Sequence, residues 1–127
     1  MSNAIGVALP ADADIAHVLV DRASALARRL NARWVAFIIC NAALPSGPAF
    51  DAVVQAELAM RSGGTVFLCE GEDVAQTLLA LAAREQVDVL ILGAPKPSGL
   101  LRRFRRGVID RVVRAARSFD VVVIGNA

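Results

Sequence analysis

The chain has 127 residues, of which 56% are hydrophobic, and a formal net charge of +2. This length suits one domain with a single core. No apolar run approaches the ~20 residues of a membrane span, and we expect no signal peptide because no basic region followed by an apolar one is visible. The two cysteines, Cys40 and Cys69, are too few for a disulfide framework, so we expect free buried thiols in a cytoplasmic protein.

Short apolar runs alternate with amphipathic segments along the chain. The runs predict strands over residues 4–9, 33–40, 65–69, 87–92 and 119–124. The amphipathic segments predict helices over residues 13–31, 49–61, 73–84 and 107–117. This alternation predicts an α/β domain with an open five-stranded parallel sheet and helices on both faces. Five strands with one reversal of winding direction match a flavodoxin-like order, in which a ligand crevice lies at the carboxyl ends of the strands beside the switch point.

Two of the predicted helices have a clear division into faces. In the first, we expect the buried stripe to hold Ile15, Val18, Leu19, Leu26 and Leu30, with Arg22, Arg28 and Arg29 outside it. In the last, a row at helical spacing is expected to face solvent, away from the apolar side: Arg111, Arg114 and Arg117. No aromatic residues interleave with this row, which disfavours binding to single-stranded nucleic acid.

Charge is distributed unevenly along the chain. Residues 1–95 hold six Lys or Arg and ten Asp or Glu, whereas residues 96–127 hold eight and two. A basic C-terminal quarter on an acidic body indicates an anionic ligand or partner at that end, or else an arginine-rich solvated surface.

No constellation of catalytic residues is recognisable. The single histidine, His17, lies within the first predicted helix, and no serine sits in a nucleophile elbow. The cysteines have no companions at metal-ligand spacing. The turn after the first strand, residues 9–14, lacks glycine and so cannot serve as a Rossmann fingerprint, and no Walker A pattern is present. We therefore do not expect an enzyme.

The best candidate site is the loop between the fourth strand and the last helix. Its glycines would let the backbone approach an anion, its cationic side chains would add charge, and the N–H groups at the predicted helix start would face a phosphate. Alternatively, Gly93 only turns the chain and Gly107 only caps the helix. The candidate residues are Gly93, Lys96, Arg102, Arg103, Arg106, Gly107 and Val108.

This loop resembles the nucleotide loop of the universal stress protein (UspA) family, whose pattern is G-x2-G-x9-G-[S/T]. Gly93-Ala94-Pro95-Lys96 is followed after ten residues by Gly107-Val108. The chain is most similar to the universal-stress-like domain of KdpD-type potassium-sensing histidine kinases, on the R-G-V-I-D-R-V-V segment (residues 106–113) and the W-V-A-F-I strand (residues 34–38). It differs from the family pattern at Lys96, at Val108 and by one additional loop residue.

The resemblance implies a single universal-stress-like domain with strand order 3-2-1-4-5. It implies that Asp12 and Val35 border the adenine and ribose of ATP or another adenine nucleotide, and that the last strand pairs across a homodimer. The serine pair that accompanies cyclic di-AMP is missing. We expect a non-catalytic regulatory domain of a two-component sensor, in which an anion orders the arginine segment or neighbouring domains are contacted directly. The alternatives are a freestanding dimer that binds ATP and an interaction module without a ligand.

Overall fold

The computed structural model describes residues 4–10, 13–40, 49–93 and 102–125, excluding the side chains of residues 13, 40, 49–52 and 102–106. Strands and helices alternate along the chain as predicted. The strands are β1 (Ala4–Ala8), β2 (Arg33–Cys40), β3 (Thr65–Glu70), β4 (Val89–Gly93) and β5 (Asp120–Ile124). The helices are α1 (Ala13–Leu30), α2 (Ala49–Arg61), α3 (Val74–Arg84) and α4 (Arg102–Ala115).

All five strands form one parallel sheet in the order β3-β2-β1-β4-β5. This confirms the predicted α/β class and the order 3-2-1-4-5. Chain winding reverses between β1 and β4, so α1 and α2 cover one face of the sheet while α3 and α4 cover the other. None of the helices among the described residues is long and apolar enough to cross a membrane.

The core on the α1 face depends on small residues as much as on large ones. Four alanines of α1 and α2 are almost fully buried, with exposures of 5% or less: Ala16, Ala23, Ala27 and Ala59. Their small side chains let these helices approach the sheet, where they pack on Ile5, Val7 and Trp34. Burying a side chain without rotatable bonds costs no rotamer entropy, so alanine suits such a close helix–sheet contact.

The buried stripe of α1 was only partly predicted. Ile15 and Leu19 are buried and Leu26 is partly buried, but Val18 and Leu30 are each 45% exposed. The expectation was wrong for these two because it ranked positions by hydrophobicity, whereas the helix directs its alanines at the sheet. Arg22, Arg28 and Arg29 are exposed, as predicted.

The core on the other face is formed by α3 with one turn of α4. Leu78 and Leu81 of α3 pack with Phe37 of β2 and Leu90 of β4. From α4, only Val112 is fully buried among the side chains that the structure describes, at 0% exposure. The sheet margins are more open than its centre, because within the described part of the chain β3 and β5 have a neighbouring strand on one side only.

One aspartate links the amino ends of three of the five strands. The Ala4 N–H donates to the Asp88 carboxylate over 2.9 Å, and the Asp88 N–H donates to the Ala4 carbonyl over 2.8 Å. The Asp120 N–H donates to the Asp88 carbonyl over 2.9 Å. Asp88 thereby fixes the starts of β1, β4 and β5 relative to each other.

Candidate functional site

The carboxyl edge of the sheet, between β1 and β4, is where the winding reverses. Ligands of open α/β sheets bind in the crevice at such a point, because the loops that leave the two strands diverge to opposite faces. Here the first loop leads from β1 to α1 and the second from β4 to α4. The predicted loop therefore leaves the sheet at its topological switch point.

Gly93 closes β4 and is buried. A Cβ atom at this position would lie 2.9 Å from Cγ2 of Ile15 and 3.2 Å from Cδ1 of Leu19, so α1 packs directly on the glycine backbone. Neither sequence interpretation of Gly93 anticipated this packing role. It lets α1 lie close to the switch point.

Helix α4 begins five residues earlier than predicted, at Arg102 instead of Gly107. Gly107 is therefore an interior helical residue, and its N–H group is expected to bond to the carbonyl four residues back. The expectation that the Gly107 and Val108 N–H groups open the helix toward a phosphate is wrong, because unpaired helical N–H groups belong to the first turn. The helix starts early because arginine is a good helix former and Gly107 costs only about 1 kcal/mol.

Because α4 begins at Arg102, the candidate arginines belong to the helix and not to the loop before it. Arg102, Arg103 and Arg106 lie in the first two turns of α4, and the first turn contains no acidic residue. Because α4 connects parallel strands β4 and β5, its N-terminus lies at the carboxyl edge of the sheet, with the positive end of its dipole. The structure thus brings the N–H groups of a helix start and cationic residues together at one helix terminus.

Other predicted site residues have different placements. Val35 lies in the first half of β2 with 0% exposure and packs on the α3 face, so it belongs to the core and not to the carboxyl edge. Val108 is partly buried against the same core. Asp12 and Lys96 lie outside the described residues, as do the side chains of the three arginines.

Arg111 forms a contact that sequence reasoning missed. Its guanidinium donates two hydrogen bonds to Asp73, from Nη1 to Oδ1 over 2.8 Å and from Nη2 to Oδ2 over 2.9 Å. Asp73 is also the N-cap of α3, where Oδ1 accepts from the Gln76 N–H over 3.1 Å. Arg111 is exposed, as predicted, but its pairing with Asp73 was not predicted. The strand order, which brings α3 and α4 to the same face, is the signal that could have indicated this partner.

This contact also sets the electrostatics of the α3 terminus. The Arg111 guanidinium, followed by the Gln76 N–H, lowers the pKa of Asp73 below its ordinary value. The same carboxylate raises the pKa of Arg111. Asp73 therefore stays ionised well below neutral pH, with a charge placed favourably at a helix N-terminus.

The described residues offer little else for chemistry. They contain no group of three or more His, Cys, Asp or Glu side chains that could hold a metal ion. His17 is exposed on α1. Cys69 is a free thiol but only partly buried, so the expectation of a buried thiol is wrong for it; the Cys40 side chain lies outside the described residues.

Comparison with known proteins identifies the fold. No family model matches the chain, and no curated protein does. Among solved structures, the chain is similar to a universal stress protein in complex with cAMP, with 20% identity, a TM-score of 0.70 and coverage of 99% of this chain and 98% of that one. It is also similar to the universal stress protein of Archaeoglobus fulgidus in complex with dAMP, with 17% identity, a TM-score of 0.66 and coverage of 96% and 97%. Universal stress protein UspA of Lactobacillus plantarum gives 22% identity, a TM-score of 0.63 and coverage of 98% and 99%.

These likenesses extend over nearly the whole chain, so its fold is that of the universal stress proteins. The resemblance noted in the sequence is confirmed at this level. The closer likeness to KdpD-type sensor kinases stays a prediction.

Proposed function

We propose that this chain is a non-catalytic, cytoplasmic regulatory domain that binds an adenine nucleotide at the carboxyl edge between β1 and β4. The observation that carries the proposal is the start of α4, where four arginines, among them Arg102, Arg103 and Arg106, and the positive end of a helix lie at the switch point of the sheet. Helix N-termini and arginines both favour phosphate, the first through N–H groups and the second through charge-assisted hydrogen bonds. The cAMP and dAMP bound to two structural neighbours support an adenine nucleotide as the ligand class.

Within this proposal, the phosphates contact the first turn of α4 together with Arg102, Arg103 and Arg106, and Lys96 adds charge from the preceding loop. Asp12, after β1, is the residue placed in sequence to meet the ribose. The ligand acts by favouring one arrangement of the arginine segment over another, which requires a different affinity for the two arrangements. No bond of the nucleotide needs to be broken for this role.

Thermal unfolding with ATP, AMP, cAMP and cyclic di-AMP tests the site. A ligand at a hundred times its Kd should stabilise the protein by roughly 2.7 kcal/mol, which raises the Tm by several degrees. We expect Arg103→Ala/Arg106→Ala to abolish this shift. The matched control is Arg28→Ala/Arg29→Ala, which removes the same charge from the last turn of α1, at the opposite edge of the sheet.

A shift that survives in the α4 variant would place the ligand elsewhere. No shift with any nucleotide would refute the proposal and leave the ligand-free interaction module. A shift with cyclic di-AMP only would restrict the ligand to that dinucleotide and contradict the inference drawn from the missing serine pair.

The wider setting of the domain is proposed in two forms. As part of a KdpD-type potassium sensor of a two-component system, it would report nucleotide binding to neighbouring domains. As a freestanding universal stress protein, it would act as a dimer that binds ATP. The length of the native gene separates the two, because a sensor kinase requires several further domains.

A homodimer through β5 is favoured by the composition of that edge. Among the described residues, β5 has a strand neighbour on one side only, and its Val122 and Val123 are 41% and 44% exposed. Val113 of α4 adds a further exposed apolar side chain, at 50%. Unpaired apolar edges favour association, so a second copy could extend the sheet here.

Sedimentation equilibrium of wild type, Val123→Glu and Leu68→Glu tests this dimer. Leu68 is the matched control because it is 57% exposed on β3, the opposite edge strand. We expect a dimer that only Val123→Glu dissociates. A wild-type monomer, or a dimer disrupted by Leu68→Glu instead, would contradict this interface.

A further inference from the structure

Both the backbone carbonyl and the side chain of Asp73 accept hydrogen bonds from the first turn of α3. The Asp73 carboxylate accepts from the Gln76 N–H, and the Asp73 carbonyl accepts from the Thr77 N–H over 3.0 Å and from the Thr77 hydroxyl over 2.9 Å. A Cβ atom on Gly71 would clash with that hydroxyl, so the approach to the helix is closely packed. This turn opens only if the contacts of Asp73 are broken.

Arg111 adds a contact from another helix to the same carboxylate. Its two parallel N–H···O bonds fix the direction of the guanidinium as well as its distance. Oδ1 of Asp73 consequently serves α3 through Gln76 and α4 through Arg111 at once. A shift of α4 by even a fraction of a helical turn would break this geometry.

Helix α4 has few other anchors among its described side chains. Val112, next to Arg111, is fully buried, whereas Val108 and Ile109 are partly buried. One turn before Arg111 lies Gly107, where an added Cβ atom would meet none of the described atoms within 4 Å. A glycine in a helix interior lowers helix stability, so the first turns of α4 are separated from the anchored part by a weak point.

We propose that the Asp73–Arg111 pair couples the two helices, so that the order of α4 controls how often the first turn of α3 opens. The coupling itself is independent of any ligand; it rests on the proposed function only for the nucleotide that would order α4. With nucleotide bound, the signal would pass from the start of α4 through Arg111 to Asp73. It would then reach the junction of β3 and α3, on the far side of the sheet from β5.

Amide hydrogen exchange by NMR tests the coupling without a ligand. Gly107→Ala strengthens α4 without contacting any neighbour and should slow exchange within α4 roughly four- to five-fold. The amides of Gln76 and Thr77 should slow in the same direction. In an Arg111→Gln background, Gly107→Ala should still slow α4 but leave Gln76 and Thr77 unchanged.

Arg114→Gln is the matched control, since it removes the same charge from the same helix at an exposed position three residues further on. In that background, Gln76 and Thr77 should respond to Gly107→Ala as in the wild type. A response at Gln76 that persists with Arg111→Gln overturns the proposal, and so does slowing confined to α4.

If Gly107→Ala does not slow exchange in α4, two single variants still test whether Arg111 couples α4 to the first turn of α3. Arg111→Gln alone should then speed exchange at Gln76 and Thr77, whereas Arg114→Gln should not. Equal exchange in the two variants overturns the coupling.

An experiment with inorganic triphosphate tests the coupling and the anion site separately. Calorimetry measures whether triphosphate binds, and hydrogen exchange measures whether it slows exchange of the Gln76 amide only when Arg111 is present. Slowing at Gln76 that requires Arg111 supports the coupling, whereas bound triphosphate without that slowing contradicts it. Absence of binding contradicts the anion site, while the Gly107→Ala result still decides the coupling.

Discussion

Helices α1 and α4 follow the two central strands at the same edge of the sheet, yet they are held in opposite ways. In α1, six residues are buried and contact the sheet directly: Ile15, Ala16, Leu19, Val20, Ala23 and Ala27. In α4, Val112 is the one fully buried residue among the side chains that are described, and a surface ion pair provides the directional contact. The first helix is anchored by packing and the second by a few replaceable contacts.

The two helices also differ in how their terminal charges match the helix dipole. Helix α1 has Asp14 in its first turn and Arg28 and Arg29 in its last, which matches the helix dipole at both ends. Helix α4 begins with arginines and has no acid in its first turn, so its own charges oppose the dipole. An anion at the start of α4 would reverse this penalty. Sequences that break a local rule in this way usually do so where they function.

The largest expected effect is on the packing of α1. Leu19→Ala removes a side chain with 0% exposure and should lower the free energy of unfolding by roughly 2–5 kcal/mol. Leu30→Ala makes the same change on the same helix at 45% exposure and should cost less than about 1 kcal/mol. Urea unfolding measures both. Equal losses would show that α1 is not anchored through this face.

Replacing glycine by alanine should change the free energy of unfolding in opposite directions at two positions. Gly93→Ala places a methyl group 2.9 Å from Cγ2 of Ile15, and overpacking of this kind costs typically about 1–3 kcal/mol. Gly107→Ala meets open space within a helix and should stabilise by about 0.8–1 kcal/mol. The midpoints of urea unfolding should therefore move in opposite directions. A loss at both positions would mean that α4 is packed as closely as α1.

The sequence predicted the scaffold well because its signals are local. Alternating apolar runs and amphipathic segments located every strand and helix, and βα alternation with the resemblance gave the strand order. The bounds of α4 were wrong, since Gly107 looked like a helix start although arginines before it continue the helix. The exposure of Val18 and Leu30 was not predicted, because alanines and not these larger residues form the contact of α1 with the sheet.

The candidate site was predicted as a segment but not as a geometry. Its position at the switch point follows from strand order, whereas Val35 is a core residue because it lies too early in β2 to reach that edge. The Asp73–Arg111 contact joins residues 38 positions apart, and neither residue has a sequence neighbour that identifies its partner. Contacts between helices on one face become visible only when their rotation about their axes is known.

The smallest expected effect concerns the ion pair that substitutes for packing in α4. Asparagine still caps a helix, so Asp73→Asn should keep the Gln76 hydrogen bond and lose mainly the charge that Arg111 contacts. Because the folded pKa of Asp73 is lowered, the ionised carboxylate stabilises the fold at neutral pH, and this contribution is lost as pH falls from about 4 through the folded pKa.

Urea midpoints at pH 7 and pH 3 should therefore show a small deficit of Asp73→Asn relative to wild type that narrows in acid. The pair is exposed, with 59% of the Arg111 side chain and 40% of the Asp73 side chain accessible, so added salt should narrow the deficit as well. In an Arg111→Gln background the dependence on pH should weaken, because the guanidinium is the largest cause of the lowered pKa. A deficit that is constant from pH 7 to pH 3 would mean that Asp73 acts through its cap alone. Helix α4 would then be held by Val112 and its neighbours, and the contrast with α1 would be one of degree.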